Sequence, residues 1–112
     1  MSPTRSARQR LADVLLAIEA IGEHRDRGPL DDPLVFDAVR MRLVEIGEAV
    51  GTLPDDVLRN EPSIPWKEVA GMRHELAHPY FDTAGGIIEA TIDDDLPVLA
   101  AAVERLLAST VE

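Results

Sequence analysis

An all-α fold, a bundle of about five helices, is what this sequence predicts, and three observations carry the prediction. Apolar residues recur at three- and four-residue spacings over most of the chain. No segment alternates convincingly with period two, as a half-buried strand would. Proline and glycine fall at the boundaries between most of the periodic stretches, where they stop helices. One domain, 1–112, accounts for the whole, because no linker, internal repeat or low-complexity run divides the chain.

Residues 6–25 form the first predicted helix, with Leu11, Val14, Leu15, Ile18 and Ile21 on one face, and Arg27-Gly28-Pro29 ends it. His24, near that end, is expected to act as a capping residue. Asp31 or Asp32 caps a second helix with Pro33 in its first turn. Phe36, Val39, Leu43, Ile46 and Val50 make a bundle seam along it, and Gly51 closes it. Pro54-Asp55-Asp56 opens a short helix that stops before Pro62, since the two acids suit the positive end of the dipole. Pro65-Trp66 starts a fourth helix, which must finish near His78 because Pro79 disfavours helical geometry in the residue before it. Trp66 is expected to anchor a largely aliphatic core. A last helical region runs from about Ala84 to Ala108, with Ile88, Ile92, Leu96, Leu99, Val103 and Leu106 along one side. Pro97 should kink or divide it.

Composition narrows the classes of function. The absence of cysteine removes disulfides and thiolate metal sites. No apolar block follows a basic start, and nothing approaches the roughly 20 apolar residues that span a bilayer. These features predict a soluble, cytoplasmic domain. A formal net charge of −10 argues against binding nucleic acid over the whole surface. The charge is uneven, however: residues 1–28 carry net +1 and the remaining 84 carry net −11. A local basic site therefore stays open, above all if two subunits combine their arginines. Arg5, Arg8 and Arg10 are not expected to contact RNA.

The segment Gly71-Met72-Arg73-His74-Glu75-Leu76-Ala77-His78-Pro79-Tyr80 supports two chemistries. From His74 it spells H-E-x-x-H, in which two imidazoles one helical turn apart grip zinc and the glutamate activates water. That reading needs a third ligand. Asp82, Glu89, Asp93, Asp94 and Asp95 are the plausible candidates later in the chain, none in a protease-like context. No metal site is expected on this ground. From Arg73 the segment spells arginine, four residues, histidine, one residue, tyrosine. Histidine can take a proton from a ribose 2′-OH or give one to a leaving 5′-oxygen near neutral pH. A guanidinium can hold the crowded phosphate of the transition state through two hydrogen bonds. Such an enzyme needs no cofactor. Arg73 and His78 lie five residues apart, about 500° of helix rotation, so they project roughly 140° from each other. A two-fold axis that sets two such helices side by side would improve the pairing.

The run from Ile64 to Tyr80 resembles the signature of HepT-type toxins of the HEPN superfamily, as do Val44–Val50 and Asp94–Leu99. The resemblance covers nearly the whole chain in the same order. It implies a homodimeric, HEPN-like helical ribonuclease toxin with Arg73 and His78 catalytic at the dimer interface and RNA as substrate. It also implies an MntA-like nucleotidyltransferase antitoxin as partner, which transfers AMP onto Tyr80. Anions added within two residues of the histidine would occupy the place of the RNA phosphate. Two positions depart from the family pattern: His74 stands where asparagine is usual, leaving it a supporting role, and Ile88 lies near the place of a usual tryptophan. The alternative is a non-catalytic helical interaction module that binds a nucleotidyltransferase. On the bland reading, Arg73 would pair with Glu68 or Glu75, and His78 would cap a helix end.

Overall fold

The computed structural model describes residues 5–77 and 88–110. Five α-helices pack there, with no strand among the described residues: α1 (Ala7–Arg27), α2 (Pro33–Gly51), α3 (Asp55–Leu58), α4 (Trp66–Ala77) and α5 (Leu96–Ser109). A π-helical segment, Thr91–Asp95, leads directly into α5.

The ends of the helices follow local chemistry. Ser6 caps α1 in a reciprocal box: its hydroxyl accepts from the Gln9 N–H, and the Gln9 side chain accepts from the Ser6 N–H at 2.8 Å. Asp32 caps α2 through the Leu34 N–H at 2.9 Å, with Pro33 as the first helical residue. Gly51 is the last residue of α2 rather than its terminator, and Thr52 closes the helix by hydrogen-bonding the Ala49 carbonyl with its hydroxyl. Pro54 sits one position before α3 instead of inside its first turn.

The expected division at Pro97 takes the form of the π segment. Proline has no N–H for the Asp93 carbonyl, and its ring would crowd that carbonyl in a regular helix. The chain widens by one residue per turn just before it, so that the Leu96 N–H reaches the Thr91 carbonyl. The part of this helical region expected between Ala84 and residue 87 lies outside the described residues.

Leu11, Val14 and Ile21 of α1, Val39, Leu43 and Ile46 of α2, and Ala102, Val103 and Leu106 of α5 are essentially inaccessible to water. Each large side chain among them contributes about 1.5–3 kcal/mol by leaving water. Leu15, Ile18, Phe36 and Ile92, expected on the same stripes, flank this core half-buried. Trp66 also packs at its edge, and its indole N–H donates to the Glu61 carbonyl at 2.9 Å. The Glu61 carboxylate in turn accepts two hydrogen bonds from Arg105, at 3.0 and 2.8 Å, tying the approach to α4 onto α5.

The helix α2 lies between α1 and α4 and makes its most extensive contacts with those two. Gly47 decides how closely α4 can approach. An atom at the position of its missing Cβ would lie 2.7 Å from the Arg73 amide nitrogen and 3.0 and 3.1 Å from the Val69 and Ala70 carbonyl oxygens. Only a residue without a side chain permits this backbone-to-backbone contact.

Candidate active site

The motif helix α4 is seated along one stripe of α2. Arg40, Val44, Gly47 and Gly51 recur at helical spacing and fall on one side of α2. Arg40 donates from Nη1 to the carbonyl oxygen of Leu76, and Gly47 meets the backbone of residues 69, 70 and 73. The position of a Cβ on Gly51 would be 3.8 Å from the Ala70 methyl and 4.0 Å from Arg73 Nη1. The order of these contacts makes the two helices antiparallel.

Arg73 is exposed, yet its guanidinium lies back along α2 beside Gly51. It forms no ion pair among the described residues, with neither Glu68 nor Glu75 nor any other carboxylate. A planar cation at the surface, laid beside Gly51 and not neutralised by an acid among the described residues, suits an incoming phosphate. His74, next in the chain, is also exposed. His78 and Tyr80, the other two residues expected in the site, lie outside the described residues, as does Asp82 of the zinc reading. Among the described residues no three His, Asp or Glu side chains come together as metal ligands.

The arginines of the N-terminal segment are largely engaged elsewhere. Arg5 pairs with Asp13 at 2.8 Å, and Arg8 donates to the Leu107 and Thr110 carbonyls at the end of α5, at 3.0 and 3.2 Å. Arg25 stands 4.0 Å from both Glu89 and Asp93, holding the π segment against α1. His24 is half-buried in the last turn of α1, and its Nε2 has no hydrogen-bond partner among the described residues, so that atom caps nothing there. A groove of about 390 Å³ between α1 and α2 collects Arg5, Arg10 and Arg42 with Asp13, Glu45 and Glu48. Its charges are balanced, Arg42 already holds Glu45 at 2.7 and 2.9 Å, and the groove lies on the side of α2 away from Gly47. It is not the phosphate site that the charge count left open.

Two residues that position the motif helix, Arg40 and Gly47, do not stand out in the sequence. Gly47 carries a signal, a lone glycine inside a strongly periodic helix, which marks close packing. Arg40 carries none, since an arginine in an amphipathic helix ordinarily faces water.

Among the described residues no helix is long and apolar enough to cross a membrane. The family model described as "Ribonuclease HepT-like" matches residues 11–106. A protein of Thermococcus cleftensis named "Probable ribonuclease HepT" is 34% identical over 106 residues, covering 91% of this chain and 96% of that protein. A candidate RNase of Caldanaerobacter subterraneus subsp. tengcongensis is 41% identical over 76 residues, 68% of each chain. Another, from Methanocaldococcus jannaschii, is 28% identical over 109 residues, 94% of this chain and 90% of that protein. No solved structure matches the chain.

Proposed function

Because the chain belongs to the HepT-like ribonuclease family, we propose that it is a metal-independent endoribonuclease toxin whose catalytic pair is Arg73 and His78. The observation that carries this reading is Arg73 itself: an exposed guanidinium, unpaired among the described residues, on a helix locked by its backbone against α2. In the reaction, His78 takes the proton of the 2′-OH as the oxygen attacks the adjacent phosphorus. The guanidinium of Arg73 stabilises the charge gathered on the equatorial phosphate oxygens, and a second histidine protonates the departing 5′-oxygen. Dependence on the 2′-OH restricts cleavage to RNA.

One chain supplies one motif histidine, and the motif spacing sets Arg73 and His78 about 140° apart on a helix. A homodimer with two motif helices facing across a two-fold axis supplies both an acid and a base, and doubles the local positive charge. His74 then supports the site from the neighbouring position. The partner that silences the toxin is an MntA-like nucleotidyltransferase antitoxin, and Tyr80 is the acceptor of its AMP groups. The added phosphates repel the RNA backbone from Arg73.

The test is His78→Ala and Arg73→Ala in the purified protein and in cells. Each should lower RNA cleavage by at least about 100-fold and abolish growth arrest, with the helical content and the dimer retained. Undiminished cleavage by folded His78→Ala would reject the mechanism. A folded dimer that cleaves no RNA, yet loses the nucleotidyltransferase when the motif is changed, would instead mark a non-catalytic interaction module.

A further inference from the structure

Arg40 is a charged residue set in a seam otherwise made of small and apolar side chains. It shares its stripe of α2 with Val44, Gly47 and Gly51, and its side chain is only 26% exposed. Packing alone would be served by an aliphatic residue of the same length, at no cost in desolvation. Its one carboxylate partner among the described residues, Asp37, stands 4.0 Å away and is itself 68% exposed, so that pair is a weak surface contact. The firm contact is the one Arg40 makes with Leu76, whose carbonyl is in the last turn of α4. Carbonyls there have no donor within the helix and carry the negative end of its dipole. A guanidinium reaching across from α2 gives the Leu76 carbonyl a donor and meets the negative end of the dipole.

We infer that Arg40 is a positioning residue for RNA cleavage. By donating to the Leu76 carbonyl it holds the last described turn of α4, the helix that carries Arg73. This rests on the reading of Arg73 and His78 as the catalytic pair. Gly47 and Arg40 constrain α4 in different ways, the glycine setting how close the helix lies and the arginine bonding the Leu76 carbonyl in its last described turn. Arg40 itself touches no substrate.

The experiment compares full-length wild-type protein with Arg40→Lys, Arg40→Met and Arg40→Gln, using a fluorophore–quencher RNA oligonucleotide of mixed sequence. Hydrogen exchange of the 66–77 peptide is followed in parallel. Arg40→Met should lower kcat by about 10-fold or more with KM changed less than about threefold, because geometry is lost while phosphate binding is kept. Exchange should quicken in the last turn of α4 and nowhere else. Arg40→Lys, which keeps a donor and a charge, should recover most of the rate, and Arg40→Gln should fall between. If Arg40→Met does not fold, the comparison of Lys with Gln carries the same test. A purely structural role would lower the melting temperature and leave kcat intact well below it. That outcome, or a lysine variant no better than methionine, would overturn the inference. Arg73→Ala separates the two failures. If wild type cleaves and Arg73→Ala does not, a normal rate in Arg40→Met refutes Arg40 alone. If the wild-type protein cleaves no RNA, the functional reading falls and takes this inference with it.

Discussion

Replacing Gly47 by alanine tests the packing that seats the motif helix. Helix propensity alone predicts a gain of about 1 kcal/mol, since alanine is the better helix former. The structure predicts the opposite sign. The new methyl carbon would sit 2.7 Å from the Arg73 amide nitrogen, whereas ordinary contact begins at 3.4 Å, so α4 must withdraw by about 0.7 Å. The crowding atoms are helix backbone on the α4 side, and no side chain can rotate to relieve them. Overpacking of this kind costs about 1–3 kcal/mol. With three backbone atoms crowded at once the cost falls in the upper part of that range, and less the propensity gain the net loss is about 1–2 kcal/mol, a fall in Tm of roughly 4–8 °C for a domain of this size. Gly71→Ala, in α4 itself, is the control: nothing lies within 4 Å of the position its Cβ would take, so the same substitution should raise Tm. Thermal unfolding followed by circular dichroism reads both. Because the most crowded atom belongs to Arg73, Gly47→Ala should also slow RNA cleavage by about 10–100-fold at temperatures where it is folded. A Gly47→Ala protein with unchanged or raised Tm would show that α4 does not lie on Gly47.

Three further outcomes are expected. The hydrogen-bonded Arg105 guanidinium holds the Glu61 carboxyl below its ordinary value of 4.5; a lowered folded value means stability fully present above 4.5 and lost as pH falls through that lower value. The difference in Tm between wild type and Arg105→Met should therefore shrink on acidification below pH 4.5, and a difference independent of pH would dismiss the ion pair as its source. Tyr80→Phe should block AMP transfer by the nucleotidyltransferase while leaving cleavage active, and radiolabel still appearing on that variant would exclude Tyr80 as the acceptor. Protein purified without chelators should carry substoichiometric zinc and keep its cleavage activity in EDTA; stoichiometric zinc would revive the reading of His74, Glu75 and His78 as a metal motif.

Much of the fold was legible because helix ends are decided by neighbours in sequence. Pro33 after an aspartate cap, and Pro97, each act within a turn of their own position, so the pattern alone located them; the Ser6–Gln9 box is just as local but came to light only in the structure. The apolar stripes were equally local, since burial follows the 3.6-residue repeat. Where sequence and structure part at a helix end, the competing effect is still local: Thr52, not Gly51, supplies the closing hydrogen bond of α2.

The candidate site divides differently. Arg73, His74 and His78 could be named as candidates from one decapeptide by residue type and spacing, and Tyr80 by the family resemblance of the run that carries it. The surroundings of Arg73 could not. Its expected partners, Glu68 and Glu75, are near in sequence, while the structure lays its guanidinium beside Gly51, from another helix. Arg8 reads in the sequence as a terminal charge, and the structure puts it on carbonyls 99 and 102 residues away. The sequence by itself thus determined the helices and named the candidate groups. Only the tertiary structure decided that α4 lies backbone to backbone on Gly47 with its end held by Arg40. Close approach and a hydrogen bond from one helix to the backbone of the other are properties of two helices together, and neither helix carries them alone.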